Sequence, residues 1–142
     1  MYLLDTNVVS ELRKHHPHGG VVEWVRATPE TSLHLSAVTI GEIQAGIEKT
    51  RDLNPTKASE IEAWLDQIVQ TYAVLPADGR VFRSWAQLLH RQPRHHSEDA
   101  LIAATALVHG FSVVTRNTED FRAFGVPLIN PFKTPAFKTP AS

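Results

Sequence analysis

Short apolar runs alternate along this chain with longer stretches in which apolar residues recur every three or four positions. The first run, Met1 to Leu4, stops at Asp5-Thr6-Asn7, residues that favour turns and helix caps. Val8, Val9 and Leu12 then make a brief helical stripe, which His15-His16-Pro17-His18-Gly19-Gly20 ends. Val21 to Ala27 reads as another short helix, and Ser32 to Ser36 alternates in polarity as a strand does. A helix from Ile40 to Lys49 follows. Ile61, Trp64, Leu65, Ile68, Val69 and Tyr72 fall on one face of a helix over Pro55 to Tyr72, with proline suited to its first turn. Val74-Leu75 is a short strand, and Val81, Phe82, Trp85, Leu88 and Leu89 mark a helix over Asp78 to His90. The spacing then predicts an apolar helix over Asp99 to His109, with Ser97 as N-cap and Gly110 as its stop. Phe111 to Thr115 is the clearest strand, Thr118 to Phe124 a short helix, and Val126 to Ile129 a last strand.

Strands that alternate with helices imply an α/β domain whose mostly parallel central sheet is covered by helices on both faces, a three-layer α/β/α arrangement. Sites in such sheets collect beyond the carboxyl ends of the strands. Near the C-terminus Phe132-Lys133-Thr134-Pro135-Ala136 repeats as Phe137-Lys138-Thr139-Pro140-Ala141. The expected division is therefore a domain over residues 1–132 and an extended or mobile tail over 133–142.

A length of 142 residues suits a single core. No apolar run approaches the roughly 18 residues that a membrane span needs, and Met1 to Asp5 lacks the basic and long apolar regions of a signal peptide. The chain has no cysteine, which excludes disulfides and thiolate metal sites. A cytoplasmic protein with no membrane contact is the expectation. The formal net charge of -1 excludes a nucleic-acid binder that works by overall positive charge. Charge is unevenly spread, however. Arg80, Arg83, Arg91 and Arg94, with His95 and His96, precede the acidic Ser97-Glu98-Asp99. Basic residues beside carboxylates suit a phosphodiester substrate, and they also suit a solvated helix end.

Four acids stand just beyond a strand or early in a helix. Asp5 follows the first strand, where it can cap a helix or bind a metal. Thr39-Ile40-Gly41-Glu42 matches a capping box, with Thr39 as N-cap and Glu42 at the third position, and a first-turn Glu can also face a metal. Glu98 and Asp99 occupy the first turn of a helix, where negative charge is favoured. That helix, Ala100 to Ala106, is so apolar and small that burial is expected, and its acids are then carried towards the interior end of the sheet. Asp120 follows the clearest strand, with Thr118 as a possible cap. Carboxylates gathered there repel one another, and protons or a cation relieve the cost. Composition and spacing thus point to a hard-metal site. Zinc suits the sequence less well, because His15, His16 and His18 are too closely spaced for a rigid site and no HExxH occurs. A receiver-like or phosphatase-like pocket would place a Lys near the acids, and none lies close to these motifs.

The segments Leu4-Asp5-Thr6-Asn7-Val8-Val9-Ser10-Glu11, Ser36 to Glu42, Asp99 to Ala106 and Val114 to Phe121 resemble PIN-domain ribonucleases. They are most similar to the VapC toxins of toxin–antitoxin pairs, including the FitB-like branch. The segments occur in the family's order, from Met1 to about Phe132. The resemblance implies that Asp5, Glu42 and Asp99 are the principal acids binding magnesium or manganese, with Asp120 the fourth and Asn117 the polar residue before it. Thr6 or Asn7, and Thr115, would orient the acids or a bound water. The adjacent Glu98 leaves ligand duty at this position divided between two acids.

The implied activity is endoribonuclease cleavage of RNA phosphodiester bonds through a metal-activated water. Single-stranded or looped RNA is the favoured substrate because its backbone is accessible. Arg91, Arg94 and Arg116 are candidates to hold flanking phosphates. The resemblance also implies a homodimer, a cognate antitoxin, and contact with operator DNA only through that antitoxin. The alternative is a non-catalytic binding module that acts as a co-repressor with its antitoxin.

Overall fold

The computed structural model describes residues 1–133, so the repeated tail from Thr134 onward lies outside the described residues. The elements run β1 (Tyr2–Leu4), α1 (Thr6–Glu11), α2 (Gly19–Ala27), β2 (Leu33–Ser36), α3 (Ala37–Leu53) and α4 (Pro55–Thr71). They continue with β3 (Ala73–Leu75), α5 (Gly79–Arg91), α6 (Ser97–His109), β4 (Ser112–Val114), α7 (Thr118–Arg122) and β5 (Leu128–Ile129). The strands form one five-stranded sheet in the order β3-β2-β1-β4-β5. Every pairing is parallel, with Leu4 opposite Leu35 on one side and Val114 on the other.

Successive residues of a strand face opposite sides of the sheet, and both sides here are covered. Leu3 and Val113 pack with Val81, Leu88, Ile102 and Phe121 from α5, α6 and α7. Leu4, Leu35 and Val114 face the other way, into Val8, Val9, Val21, Ile43, Ile47 and Leu65 from α1 to α4. Burial on both faces is why β1 and β4 read as continuous apolar runs. In α6, Ala100, Ala103, Ala104 and Ala106 are buried. Their small side chains let the helix lie close to the sheet, and the expected burial of this helix holds.

The chain moves outward from β1 to β2 and β3, then crosses back to β4 and β5. The strand order therefore reverses at the seam between β1 and β4, and in parallel sheets a crevice opens beyond the carboxyl ends at such a point. Asp5 and Thr115 stand at that seam.

Several helices start elsewhere than the pattern predicts, α2 at Gly19 rather than Val21 among them, and two of these differences bear on the acids. β2 runs directly into α3, whose N-cap is Ser36; its hydroxyl accepts from the Val38 N–H at 3.1 Å. Thr39 is therefore already helical and Glu42 lies in the second turn, so the two do not form a capping box. α6 begins at Ser97 rather than after it, with His96 at the cap position and no side-chain capping bond. Gly110 ends α6 as expected, with a left-handed φ of 73°.

Two glycine substitutions separate backbone strain from helix propensity. Gly110→Ala meets no atom within 4 Å, so its cost is conformational, and it should lower stability by about 1 kcal/mol. Gly46→Ala, in the middle of α3 and also free of contacts within 4 Å, should raise stability by about 0.5–1 kcal/mol. Urea midpoints that move in opposite directions at equal slope would bear this out; a Gly110→Ala protein as stable as wild type would contradict it.

Candidate active site

Asp5 leaves β1 in extended conformation, and its N–H still donates to the Val114 carbonyl at 2.9 Å, one step past the strand. It also caps α1, so the structural and functional readings of this residue coexist. Its carboxylate is only 4% exposed. Oδ1 accepts from the Thr6 N–H at 2.7 Å. Oδ2 accepts from the Thr115 hydroxyl at 2.8 Å and the Asn7 amide at 3.1 Å. Burial pushes the Asp5 carboxyl above the usual range, the bonds from Thr115 and Thr6 pull it back, and the Glu42 charge raises it again.

Thr6 carries the arrangement onward. Its hydroxyl donates to Glu42 Oε1 at 2.5 Å and lies 3.0 Å from the hydroxyl of Thr39. Thr39 and Glu42 are three residues apart on α3 and so share a face. Thr39 is fully buried, and its role in this cluster was not legible from its capping-like context; the spacing to Glu42 was the available signal.

Asp99 stands in the first turn of α6, half-buried. Its carboxyl is pushed up to about 6, first by burial and then by the charges of Asp5, Asp120 and Glu42, with His96 pulling the other way. The structure therefore brings Asp5, Glu42, Asp99 and Asp120 into one electrostatic neighbourhood at the carboxyl edge of the sheet. Glu98 is exposed, so of the adjacent acids it is Asp99 that faces the others. Asp120 is exposed on α7.

The supporting polar residues knit the loops together. Asn7 also accepts from the Arg116 N–H at 3.1 Å, and its amide lies 3.4 Å from the Thr115 hydroxyl. The Asn117 N–H donates to Thr115 Oγ1 at 3.0 Å, while its side chain makes no capping bond at the start of α7. Arg116 is exposed beside these groups. Arg91 instead lines a shallow depression on α5 with Gln87 and His90, which includes none of the four acids. Arg94 is exposed in the turn before α6. A further buried acid, Glu11, belongs to the scaffold: it accepts from the His18 N–H at 2.8 Å and pairs with Lys14 at 2.9 Å, and both contacts hold its carboxyl below the usual range.

All the gathered donors are oxygens, the kind that hard cations take. Among the described residues, no group of three or more acids or histidines is disposed to hold a metal ion outright. What these acids offer is concentrated negative charge with one member, Asp99, that binds a proton unusually well.

Residues 2–126 match the family described as PIN domain. The chain is 36% identical over 144 residues to a protein named VapC ribonuclease Y4jK from Sinorhizobium fredii, covering 94% of this chain and 99% of that one. It is also 36% identical over 139 residues to toxin FitB from Neisseria gonorrhoeae, covering 93% and 99% respectively. The crystal structure of FitAcB from Neisseria gonorrhoeae matches with a TM-score of 0.84 at 33% identity, covering 94% of this chain and 100% of that chain. A family match over residues 2–126 and relatives this similar over nearly the whole chain make the protein a member of the PIN domain family.

Proposed function

We propose that the protein is a metal-dependent endoribonuclease and the toxin of a toxin–antitoxin pair. The observation that carries the catalytic part is the Asp99 carboxyl, raised to about 6 by burial and by Asp5, Asp120 and Glu42. Acids that raise one another's proton affinity are poised to exchange that proton for a cation. The similarity to proteins named VapC ribonuclease and toxin FitB supports RNA as substrate and an antitoxin as partner. Operator DNA is then met through the antitoxin. Exposed Phe82 on α5 and Leu107 on α6 offer apolar surface for a homodimer.

Magnesium is the preferred ion, with manganese as a substitute. The carboxylate oxygens of Asp5, Glu42, Asp99 and Asp120 suit a hard cation that retains several waters and takes substrate phosphate oxygens as further ligands. When bound, such an ion lowers the pKa of an attacking water and offsets charge on the phosphate. The residues then divide the work. Thr115, Asn7 and the Thr6 N–H fix the Asp5 carboxylate, leaving it little freedom to turn. Thr6 ties Glu42 to the same end of the sheet. Asp99 must lose its proton before it can serve as a ligand, and Asp120, whose charge acts on Asp99, is the fourth acid of the set.

Purified protein should cleave members of a total-RNA and tRNA panel in magnesium or manganese and stop in EDTA. Asp99→Asn should lower cleavage about a hundredfold or more while the protein stays folded, its melting temperature no lower than wild type. Cleavage by Asp99→Asn at the wild-type rate would remove this acid from the site.

The pH dependence has a definite sign. The folded-state value of about 6 lies above the ordinary 3.8, so without metal the native protein binds more protons than the unfolded chain between these values. Stability contributed by Asp99 is therefore present at low pH and lost as pH rises through about 6. In EDTA, the urea midpoint of wild type should fall relative to Asp99→Asn between about pH 4 and pH 7, and magnesium should reverse the difference above pH 6. Parallel midpoint curves for the two proteins would show that Asp99 does not titrate in this way.

A further inference from the structure

Beside the acid cluster, between the end of β4 and α7, runs a groove lined by three cations, Arg116, Arg122 and Lys133, two acids, Glu119 and Asp120, and the polar Asn117 and Thr118. The groove adjoins the candidate catalytic end of the sheet through Asn7, which bonds both the Arg116 N–H and the Asp5 carboxylate. We infer that this groove is a subsite for an RNA phosphate next to the cleaved bond, with Arg116 as its cation and Phe132 as the ring that holds Arg116 in place. The inference rests on the endoribonuclease reading above and goes further by assigning a path for the strand.

The backbone of Arg116 is fixed on both sides. Its N–H donates to Asn7 Oδ1 at 3.1 Å, and the amide of the same Asn7 donates to Asp5 Oδ2 at 3.1 Å. Its carbonyl accepts from the Asn130 amide at 3.2 Å. The side chain is fixed separately: the guanidinium carbon lies 4.1 Å from the centroid of the Phe132 ring. That ring is itself held, because the Phe132 N–H donates to Asn130 Oδ1 at 3.0 Å and the His18 ring packs against it at a centroid distance of 5.3 Å.

Stacking matters here because of what it leaves available. A guanidinium held over a ring is attracted through the ring's π face and keeps N–H donors for a further partner. The acid that feels the charge of Arg116 is Glu11, whose carboxylate is already bonded to Lys14 and to the His18 N–H. Among the described residues no carboxylate lies at ion-pair distance from Arg116, whereas Arg122 in the same groove is paired with Glu119 at 3.2 Å. A planar fork of donors, beside a second cation at Lys133, matches the oxygens of a phosphodiester.

The test uses the full chain and the best-cleaved RNA of the panel. KM, kcat and the salt dependence of kcat/KM are measured for wild type, Arg116→Ala, Phe132→Leu, Phe132→Trp and the Arg116→Ala/Phe132→Leu double variant. Arg116→Ala should raise KM about fivefold or more, exceeding any fall in kcat, and flatten the salt slope by about 0.7, the contribution of one phosphate contact. Phe132→Leu keeps apolar bulk but loses the ring face, and should shift KM and slope in the same direction. The double variant should be no worse than Arg116→Ala alone, because the ring acts through the arginine. Phe132→Trp, a ring at least as good for the cation, should stay near wild type. An Arg116→Ala protein with unchanged KM and salt slope would overturn the subsite. Additive losses in the double variant, or a Phe132→Trp protein as impaired as Phe132→Leu, would overturn the role of Phe132. Should wild type cleave no RNA at all, it is the endoribonuclease reading that fails, a result separate from each of these.

Discussion

Thr115 at the end of β4 donates its hydroxyl to the carboxylate of Asp5 at the end of β1, across the seam where the strand order reverses. Much of the local structure follows from that bond. A carboxylate this buried would be costly without partners, and it receives three donors, from Thr115, Asn7 and the Thr6 N–H. Each donor then leads elsewhere. Thr6 reaches Glu42 on α3, and Asn7 reaches the backbone of Arg116. The seam thus ties helices on one face of the sheet to loops at its carboxyl edge.

α6 adds the opposing influence. Its alanines let it lie close to the sheet, and that approach brings Asp99 within range of three other acids. The same tight packing that stabilises the core therefore creates a repulsion at the helix start. The helix N-terminus and His96 offset only part of it, and the carboxyl responds by binding its proton more tightly. Under the proposed reading the fold stores a local demand for positive charge, and the demand is met only when a cation arrives.

Much of this was legible in the sequence. The apolar runs of β1 and β4 and the small-residue helix α6 required burial, so the acids next to them had to gather at one edge. Local signals were weaker where several residues could do the same job. Ser36 and Thr39 can each cap a helix, and only the direct passage of β2 into α3 selects Ser36. Asp99 and Glu98 are neighbours in sequence, but the roughly 100° between successive helical residues sends them to different environments. The basic cluster ahead of α6 drew notice to Arg91 and Arg94 by density alone. Arg116 was a candidate beside them, and tertiary adjacency singles it out, because the seam places its backbone two hydrogen bonds from Asp5. Density along a chain is a one-dimensional signal, and the ring beneath that arginine comes from Phe132, far along the sequence.

The cluster is also uneven in its freedom to move. Asp5 is buried and bonded through both oxygens, and Glu42 is held by Thr6. Asp120 sits exposed on α7, a helix of 5 residues. An ion that keeps part of its water shell needs fixed charge to draw it in and adjustable oxygens to accommodate substrate. An entirely rigid set would demand one geometry before and after cleavage, and an entirely loose one would lose the orientation that positions the reacting groups. Anchoring the acid at the strand seam while leaving the acid on the short helix exposed meets both requirements. Under the proposed reading the same division explains why one residue, Asp5, caps a helix and would also head the site: the position that most needs rigidity is the one that the fold already holds most firmly.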